Sequence, residues 1–177
     1  MPGMDVVVTI AKTEWLRWLA EGDLPGEPTT DEWAVYFGSG AGRRPAPPRH
    51  AQPGDRVYVQ AWGFIRGYAP LVRVQDTGVG YALVRGGGAA ICTVVDTAGQ
   101  PMPVSGFQGV RYRWWQYAYE APFADWQTHG LPARERVHVE RLVRLRADPR
   151  HRAALRDRAL YTQGPLPPAV LFQGMPS

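Results

Sequence analysis

Residues 53–75, PGDRVYVQAWGFIRGYAPLVRVQ, decide the fold that the sequence predicts. They open with a Pro-Gly-Asp turn, continue as an alternating segment, bend at residues 66–70 and return through residues 71–75. Alternation with a period of two is typical of a β-strand. One face of the first strand is aliphatic and consists of Val57, Val59 and Ala61. The other face is aromatic and polar and consists of Tyr58, Gln60 and Trp62. We therefore predict a central β-hairpin with one core face.

The flanking segments predict a mixed α+β domain. A β-branched run at 6–10 and a segment at 33–37 indicate strands, and Thr13 can cap a helix at 14–21. Further strands are predicted at 81–85, 89–95, 110–119 and 136–145, the first two as a hairpin, and a second helix from Asp148 to about residue 160. The expected architecture is a small, mostly antiparallel β-barrel. It forms a single domain over residues 1–160, followed by a proline-rich tail at 161–177.

The order of these elements resembles the PUA-like superfamily, which includes the PUA, ASCH, EVE and YTH domains. The similarity lies in the Pro-Gly-Asp turn before an aromatic-bearing strand and a return strand, preceded by a strand, a helix and a second strand with Trp33. It covers roughly the first half of the chain and assigns no subfamily, because the GxKxxExR-type signature of ASCH domains is not found. The resemblance implies a PUA-like β-barrel and a ligand cleft beside the exit of the first strand.

The positive charge of the chain is carried almost entirely by arginine. The 20 basic residues include a single lysine, Lys12, and the formal net charge is +4. Residues 134–158 hold nine arginines and four acids, which is 9 − 4 = +5, so the rest of the chain is close to neutral at 4 − 5 = −1. A local cluster of arginine is typical of a phosphate-binding surface, although arginine-rich codon usage would also raise the total.

Several classes of chemistry are disfavoured by the sequence. Cys92 is the only cysteine, so an internal disulfide cannot form, and no HExxH, CxxC or GxSxG motif occurs. The glycine-rich segment 38–42 leads into prolines rather than a helix, which argues against a dinucleotide or phosphate loop. We expect no cofactor and no metal. Without a long apolar run or a signal-peptide pattern, we expect a cytoplasmic protein without membrane contact.

The function that the sequence favours is nucleic-acid binding, with RNA or DNA as the partner and a modified or flipped base in an aromatic pocket. Aromatic walls supply stacking, and a basic rim supplies phosphate contacts. The predicted ligand-binding residues are Lys12, Thr13, Trp33, Ser39, Trp62, Phe64, Arg66, Tyr68, Trp114 and Trp115. The predicted contacts to the nucleic-acid backbone are Arg43, Arg44, Arg141, Arg144, Arg146, Arg150 and Arg152.

Two alternatives stay open from the sequence. The resemblance to ASCH domains implies a hydrolase or ribonuclease acting on a nucleoside or RNA, with Lys12, Thr13 and Glu14 at the exit of the first strand. The position of Thr13 before the predicted helix favours a helix cap over a catalytic role. No catalytic residue is assigned. The other alternative is a protein-interaction module whose exposed aromatic residues bind a partner chain. Binding of a protein partner would depend weakly on salt, whereas phosphate binding falls steeply with it.

Overall fold

The computed structural model describes residues 4–10, 32–38, 42–86, 89–147 and 150. These residues form a short 3₁₀ turn at Tyr117–Tyr119, one helix of 15 residues and eight strands: α1 (Ala133–Ala147), β1 (Val6–Thr9), β2 (Glu32–Gly38), β3 (Arg56–Ala61), β4 (Phe64–Asp76), β5 (Gly80–Gly86), β6 (Thr93–Val94), β7 (Val110–Tyr112) and β8 (Glu120–Ala121). The fold is therefore a mostly antiparallel, sheet-rich α+β fold, as the sequence predicted.

Six strands form one sheet in the order β2-β5-β4-β3-β1-β7, and β6 pairs with β8 in a second, two-stranded sheet. Every pairing is antiparallel except that of β1 with β3. Within the described residues the large sheet is open, with β2 and β7 at its edges, and is not closed into a barrel.

The central hairpin is confirmed, but its bend is not where the sequence predicted it. The turn lies at Trp62 and Gly63, which have φ angles of 50° and 79°, as a two-residue turn with left-handed backbone requires. The predicted bend at 66–70 lies inside β4 instead. That strand continues because its first half pairs with β3 and its second half with β5.

The two faces of the central strands are both buried. On the face that we call the helix face, Val6, Val8 and Val57 pack in one cluster with Val139 of α1. On the opposite face, which we call the cleft face, Val7 and Tyr58 pack in another cluster, and Tyr58 has no solvent exposure. The aromatic and polar face predicted for β3 is thus covered by protein.

The strands beyond the hairpin agree only in part with the predictions. β1 and β2 are confirmed, and β2 lies so close to β5 that a Cβ atom at Gly80 would stand 1.8 Å from the Phe37 carbonyl oxygen. The predicted hairpin of 81–85 with 89–95 is wrong, because both edges of β5 are already paired with β2 and β4. Residues 93–94 pair with β8 instead.

The segment 110–119 is a strand for only its first three residues. After Tyr112 the backbone leaves the sheet, and consecutive residues Trp114 and Trp115 pack edge to face at 4.9 Å between ring centroids rather than alternating across a strand. Residues 117–119 then form the 3₁₀ turn. The prediction of a ten-residue strand is therefore wrong.

The predicted final strand at 136–145 is also wrong, because these residues belong to α1. The Arg136 N–H donates to the Pro132 carbonyl at 2.9 Å, which is the i to i−4 bond of a helix. Val139 is 2% exposed and Val143, four positions on, is half-buried, whereas Val137 is 65% exposed. The valines thus follow the helical repeat, in a segment rich in the helix formers Arg, Glu and Leu.

Two predicted helices and the tail fall largely outside the described residues. These are the helix at 14–21, the helix from Asp148 to about residue 160, of which only Arg150 is described, and the tail at 161–177. Among the helical residues that are described, no stretch is both long and apolar enough to cross a membrane.

Candidate functional site

A cleft of about 760 Å³ lies on the cleft face of the sheet. Its buried lining residues Val94 and Trp115 belong to the same packed cluster as Tyr58. The walls come from two irregular segments, residues 95–105 and 111–119. A concave site of this volume with a largely apolar lining is typical of a small-molecule or base site.

The first wall is held by a compact turn around Asp96. One carboxylate oxygen of Asp96 accepts the backbone N–H groups of Ala98 and Gln100 at 2.8 and 2.9 Å. Gly99, with φ of 78°, completes the turn in a conformation that favours glycine. Farther along, the Val104 N–H donates to the Gly63 carbonyl at 2.7 Å and ties this wall to the central hairpin.

The second wall presents aromatic rings to solvent. Trp114 is 53% exposed and Tyr119 is 44% exposed, although both line the cleft. Trp114 packs edge to face on Trp115 and on Phe107, so its position is held by neighbouring rings. Exposed ring faces in a concave site are available for stacking with a planar ligand.

Glu120 fixes the floor of the cleft from below. One of its oxygens accepts the Trp115 indole N–H at 2.9 Å and the Tyr58 hydroxyl at 2.5 Å, and the other accepts Arg56 at 3.1 Å. Burial, followed by the hydrogen bond to Glu120, raises the pKa of Tyr58 above its ordinary value, so its hydroxyl stays protonated as a donor. Trp115 is thereby held in one orientation.

Arg56 is sandwiched between two tyrosine rings. Its guanidinium carbon lies 4.2 Å from the ring centroid of Tyr68 and 4.6 Å from that of Tyr117. The guanidinium carbon of Arg113 also lies over the Tyr117 ring, 3.9 Å from its centroid. Cation–π contacts of this kind orient arginine side chains as well as stabilising them.

Asp5 closes this network at its far end. It accepts the Tyr117 hydroxyl at 2.6 Å, the Arg113 Nε at 2.9 Å and the backbone N–H of Arg56 at 2.9 Å. Burial by itself raises the pKa of Asp5, but the hydrogen bonds from Tyr117, Arg56 and Arg113 outweigh it and leave the pKa below its ordinary value. Arg56 and Arg113 are thus each paired with a carboxylate.

Arg111 stands apart from that network at the rim of the cleft. It is exposed, lines the cleft and lies 4.4 Å from the ring centroid of Phe107. It forms no ion pair with any residue that the structure describes. Its guanidinium is therefore positioned on an aromatic face with donors directed to solvent or to a ligand.

Three of the four predicted ligand residues in the central hairpin, Trp62, Phe64 and Arg66, lie on the helix face instead. Arg66 has no solvent exposure and donates to the carbonyls of Ala61, Trp62, Trp126 and His129 at 2.6 to 3.2 Å. Phe64 packs edge to face on His129 at 4.7 Å. Arg66 therefore joins the hairpin turn to the segment that contains Trp126 and His129, away from the cleft, and its role in ligand binding stays a prediction.

The remaining predicted residues are dispersed. Tyr68 contacts Arg56 below the cleft, as described above. Arg43 is exposed in a loop, and Arg44 is exposed and paired with Asp76. Of the predicted ligand set, the cleft brings together Trp114 and Trp115.

The arginines of α1 whose side chains are described do not line the cleft. Arg141 and Arg144 are exposed on this helix, whose Val139 packs on the helix face. Trp115 packs on the opposite, cleft face. Arg141 and Arg144 are therefore not part of the cleft lining, and their predicted contacts to a nucleic-acid backbone stay a prediction.

Other predictions cannot be placed. Lys12, Thr13, Glu14, Ser39 and Arg152 lie outside the described residues, as do the side chains of Trp33 and Arg146, while Arg150 is described and exposed. The hydrolase alternative rests on the first three of these residues.

The described residues give little support for nucleophilic or metal chemistry. Burial, with a smaller contribution from Glu120, raises the pKa of the Cys92 thiol to about 12, so it stays protonated at neutral pH. His129 lies 2.9 Å from Asp125, but no group of three or more candidate ligands that could hold a metal ion occurs in the described part of the chain.

Comparison with known proteins does not assign a family. No family model matches the chain, and neither the curated proteins nor the solved structures contain a significant match. The class defined by fold and site is thus an open-sheet α+β protein with an aromatic cleft.

The sequence missed several residues of the cleft. Arg111, Gln116, Tyr119 and Met102 line it, and Glu120 orients its floor. The available signal is the density of aromatic residues in 110–119, the segment for which alternation predicted a strand. Interpreted as a loop with exposed aromatic side chains, the same segment would have predicted one wall of a binding site.

Proposed function

We propose that this protein binds RNA or DNA by holding one base, modified or flipped out of its stack, in the cleft. The observation that carries the proposal is the exposed ring of Trp114, which lines the cleft together with Tyr119 above the fixed indole of Trp115. Stacking of a base on an aromatic side chain contributes about 1 to 3 kcal/mol and tolerates different bases. A base is the planar ligand that such a wall suits.

Polar groups at the cleft supply the remaining contacts of the proposal. Gln116, Ser105 and Thr97 line it and carry amide or hydroxyl groups suited to the edges of a base. Arg111 supplies a positive charge for a phosphate. The arginines of α1 have no part in this proposal, because they lie on the helix face.

We also propose membership of the PUA-like superfamily. The order of β1, β2 and the hairpin of β3 with β4 supports it. The open sheet is the feature that argues against it.

The test is a tryptophan-fluorescence titration with single-stranded and duplex RNA and DNA, followed by a panel of modified nucleosides. We expect saturable quenching, and we expect Trp114→Ala to weaken binding by about 5- to 150-fold, which corresponds to the stacking energy of one base. Val137→Ala, on the opposite face, is the matched control and should bind as the unaltered protein does. Equal affinity of Trp114→Ala and the control would overturn the assignment of the cleft.

A protein partner is the second candidate, and the apolar character of the cleft favours it. Met102 and Trp114 are 43% and 53% exposed, and both line the cleft. Exposed apolar residues grouped in one concavity are typical of interaction sites. Absence of quenching by every nucleic acid at low salt would make this the leading function.

A further inference from the structure

The charges around the cleft limit what kind of nucleic-acid ligand it can take. Two arginines on the cleft face, Arg56 and Arg113, are already paired with Glu120 and Asp5 at 3.1 and 2.9 Å. Their charges are compensated within the protein. A phosphate would have to compete with those carboxylates for the same positive charges.

The charge that remains in the lining is close to zero. Arg111 and Asp96 are the described lining residues whose side chains carry a charge at neutral pH, and the Asp96 carboxylate is held in its own turn by two backbone N–H groups. A strand of nucleic acid carries one negative charge per nucleotide, so a groove that follows a strand needs several cations. The described cleft offers one.

We infer that the cleft binds a single nucleotide unit, with its ring on Trp114 and its one phosphate on Arg111, rather than a run of nucleic-acid backbone. This inference rests on the proposed function and names the ligand class of the same site. Arg111 is already oriented by Phe107, at 4.4 Å from the ring centroid, so little side-chain freedom is lost when it binds a phosphate. The cleft volume of about 760 Å³ is within the range of small-molecule sites.

Binding of the four ribonucleoside 5′-monophosphates, their nucleosides and a 12-nucleotide single strand of mixed sequence tests this inference. We expect a monophosphate to bind about three- to tenfold more tightly than its nucleoside. Arg111→Gln should abolish that difference, whereas Arg144→Gln on α1, the matched control, should preserve it. The logarithm of the 12-mer affinity should fall with the logarithm of salt concentration with a slope of about 0.7, as for one phosphate.

Two other results would contradict the inference in different ways. A salt slope of about 3 or more for the 12-mer, together with weaker binding by Arg144→Gln, would show that several phosphates are held and that the single-nucleotide assignment is wrong, while nucleic-acid binding itself would stand. No binding of any monophosphate, nucleoside or 12-mer by the unaltered protein would remove the proposed function and the inference together. Circular dichroism of Arg111→Gln establishes that a loss is not caused by unfolding.

Discussion

Each face of the central sheet contains one arginine that organises its surroundings, and the two are satisfied in different ways. Arg66, on the helix face, is fully buried and donates to four main-chain carbonyls. Arg56, on the cleft face, is partly exposed and contacts a carboxylate and two tyrosine rings. Arg66 therefore joins backbone segments, whereas Arg56 belongs to a side-chain network that orients the cleft.

This difference between the two arginines distinguishes the helix face, which supports the fold, from the cleft face, which contains the candidate site. Burial lowers the pKa of Arg66 to about 10, partly offset by Asp125, and the guanidinium stays charged at neutral pH. Its guanidinium donates to the carbonyls of two chain segments and so holds them together. On the cleft face the polar network ends at Trp115, beside the exposed Trp114, so stabilisation there also sets the geometry of a binding surface.

The largest effect is expected at Arg66. Arg66→Met should lower the free energy of unfolding by about 3 kcal/mol or more, because four main-chain carbonyls, two of them in fully buried hydrogen bonds, lose their charged donor. Arg66→Lys keeps the charge but cannot reach all four carbonyls. Its free energy of unfolding should lie between those of Arg66→Met and the unaltered protein. Urea denaturation measures both. A loss below about 1 kcal/mol for Arg66→Met would show that the two arginine centres do not differ as described.

A smaller effect distinguishes the helix from the strand predicted at 136–145. Val139→Ala should destabilise the protein by about 1 to 3 kcal/mol, because Val139 is 2% exposed and packs in the core of the helix face. Val137→Ala, 65% exposed in the unaltered protein, should change stability by less than about 0.5 kcal/mol. In a strand both side chains would share one face, so equal losses in urea denaturation would contradict the helix.

Acid should weaken the cleft face rather than the helix face. The folded-state pKa of Asp5 is lower than its ordinary value of 3.8. Its stabilising contribution is therefore fully present above the unfolded-state pKa and is lost as the pH falls through the folded-state pKa. Thermal unfolding from neutral pH down to about pH 2 measures this loss. Asp5→Asn should show a flatter profile, and an unchanged profile would place the acid sensitivity elsewhere.

The smallest effect is expected at the tyrosine beside Arg56. Tyr68→Leu removes one cation–π contact and should cost about 0.5 to 2 kcal/mol. Tyr68→Phe keeps the ring face and should change stability little. If both substitutions destabilise the protein equally in urea, the hydroxyl rather than the ring contact with Arg56 is what matters.

Local sequence patterns correctly predicted strands that pair with a neighbour in sequence or are buried on both faces. The β-branched run of Val6–Thr9 and the alternation of Arg56–Ala61 are both strands. The same rule of alternation was misleading at 136–145, because a period of two over valines at 137, 139 and 143 also contains a repeat of four. Helix-forming neighbours and Pro132 favoured the helical repeat.

The sequence by itself determined that this chain has a sheet-rich α+β fold with a central hairpin and that residues 110–119 hold an unusual density of aromatic rings. Only the tertiary structure decided which rings line a cleft and which arginines form ion pairs within the protein. Asp5 and Arg113 are 108 positions apart, and Arg56 and Glu120 are 64 apart. Pairings over such separations depend on strand order and on burial, and these cannot be predicted from the local periodicity of the sequence.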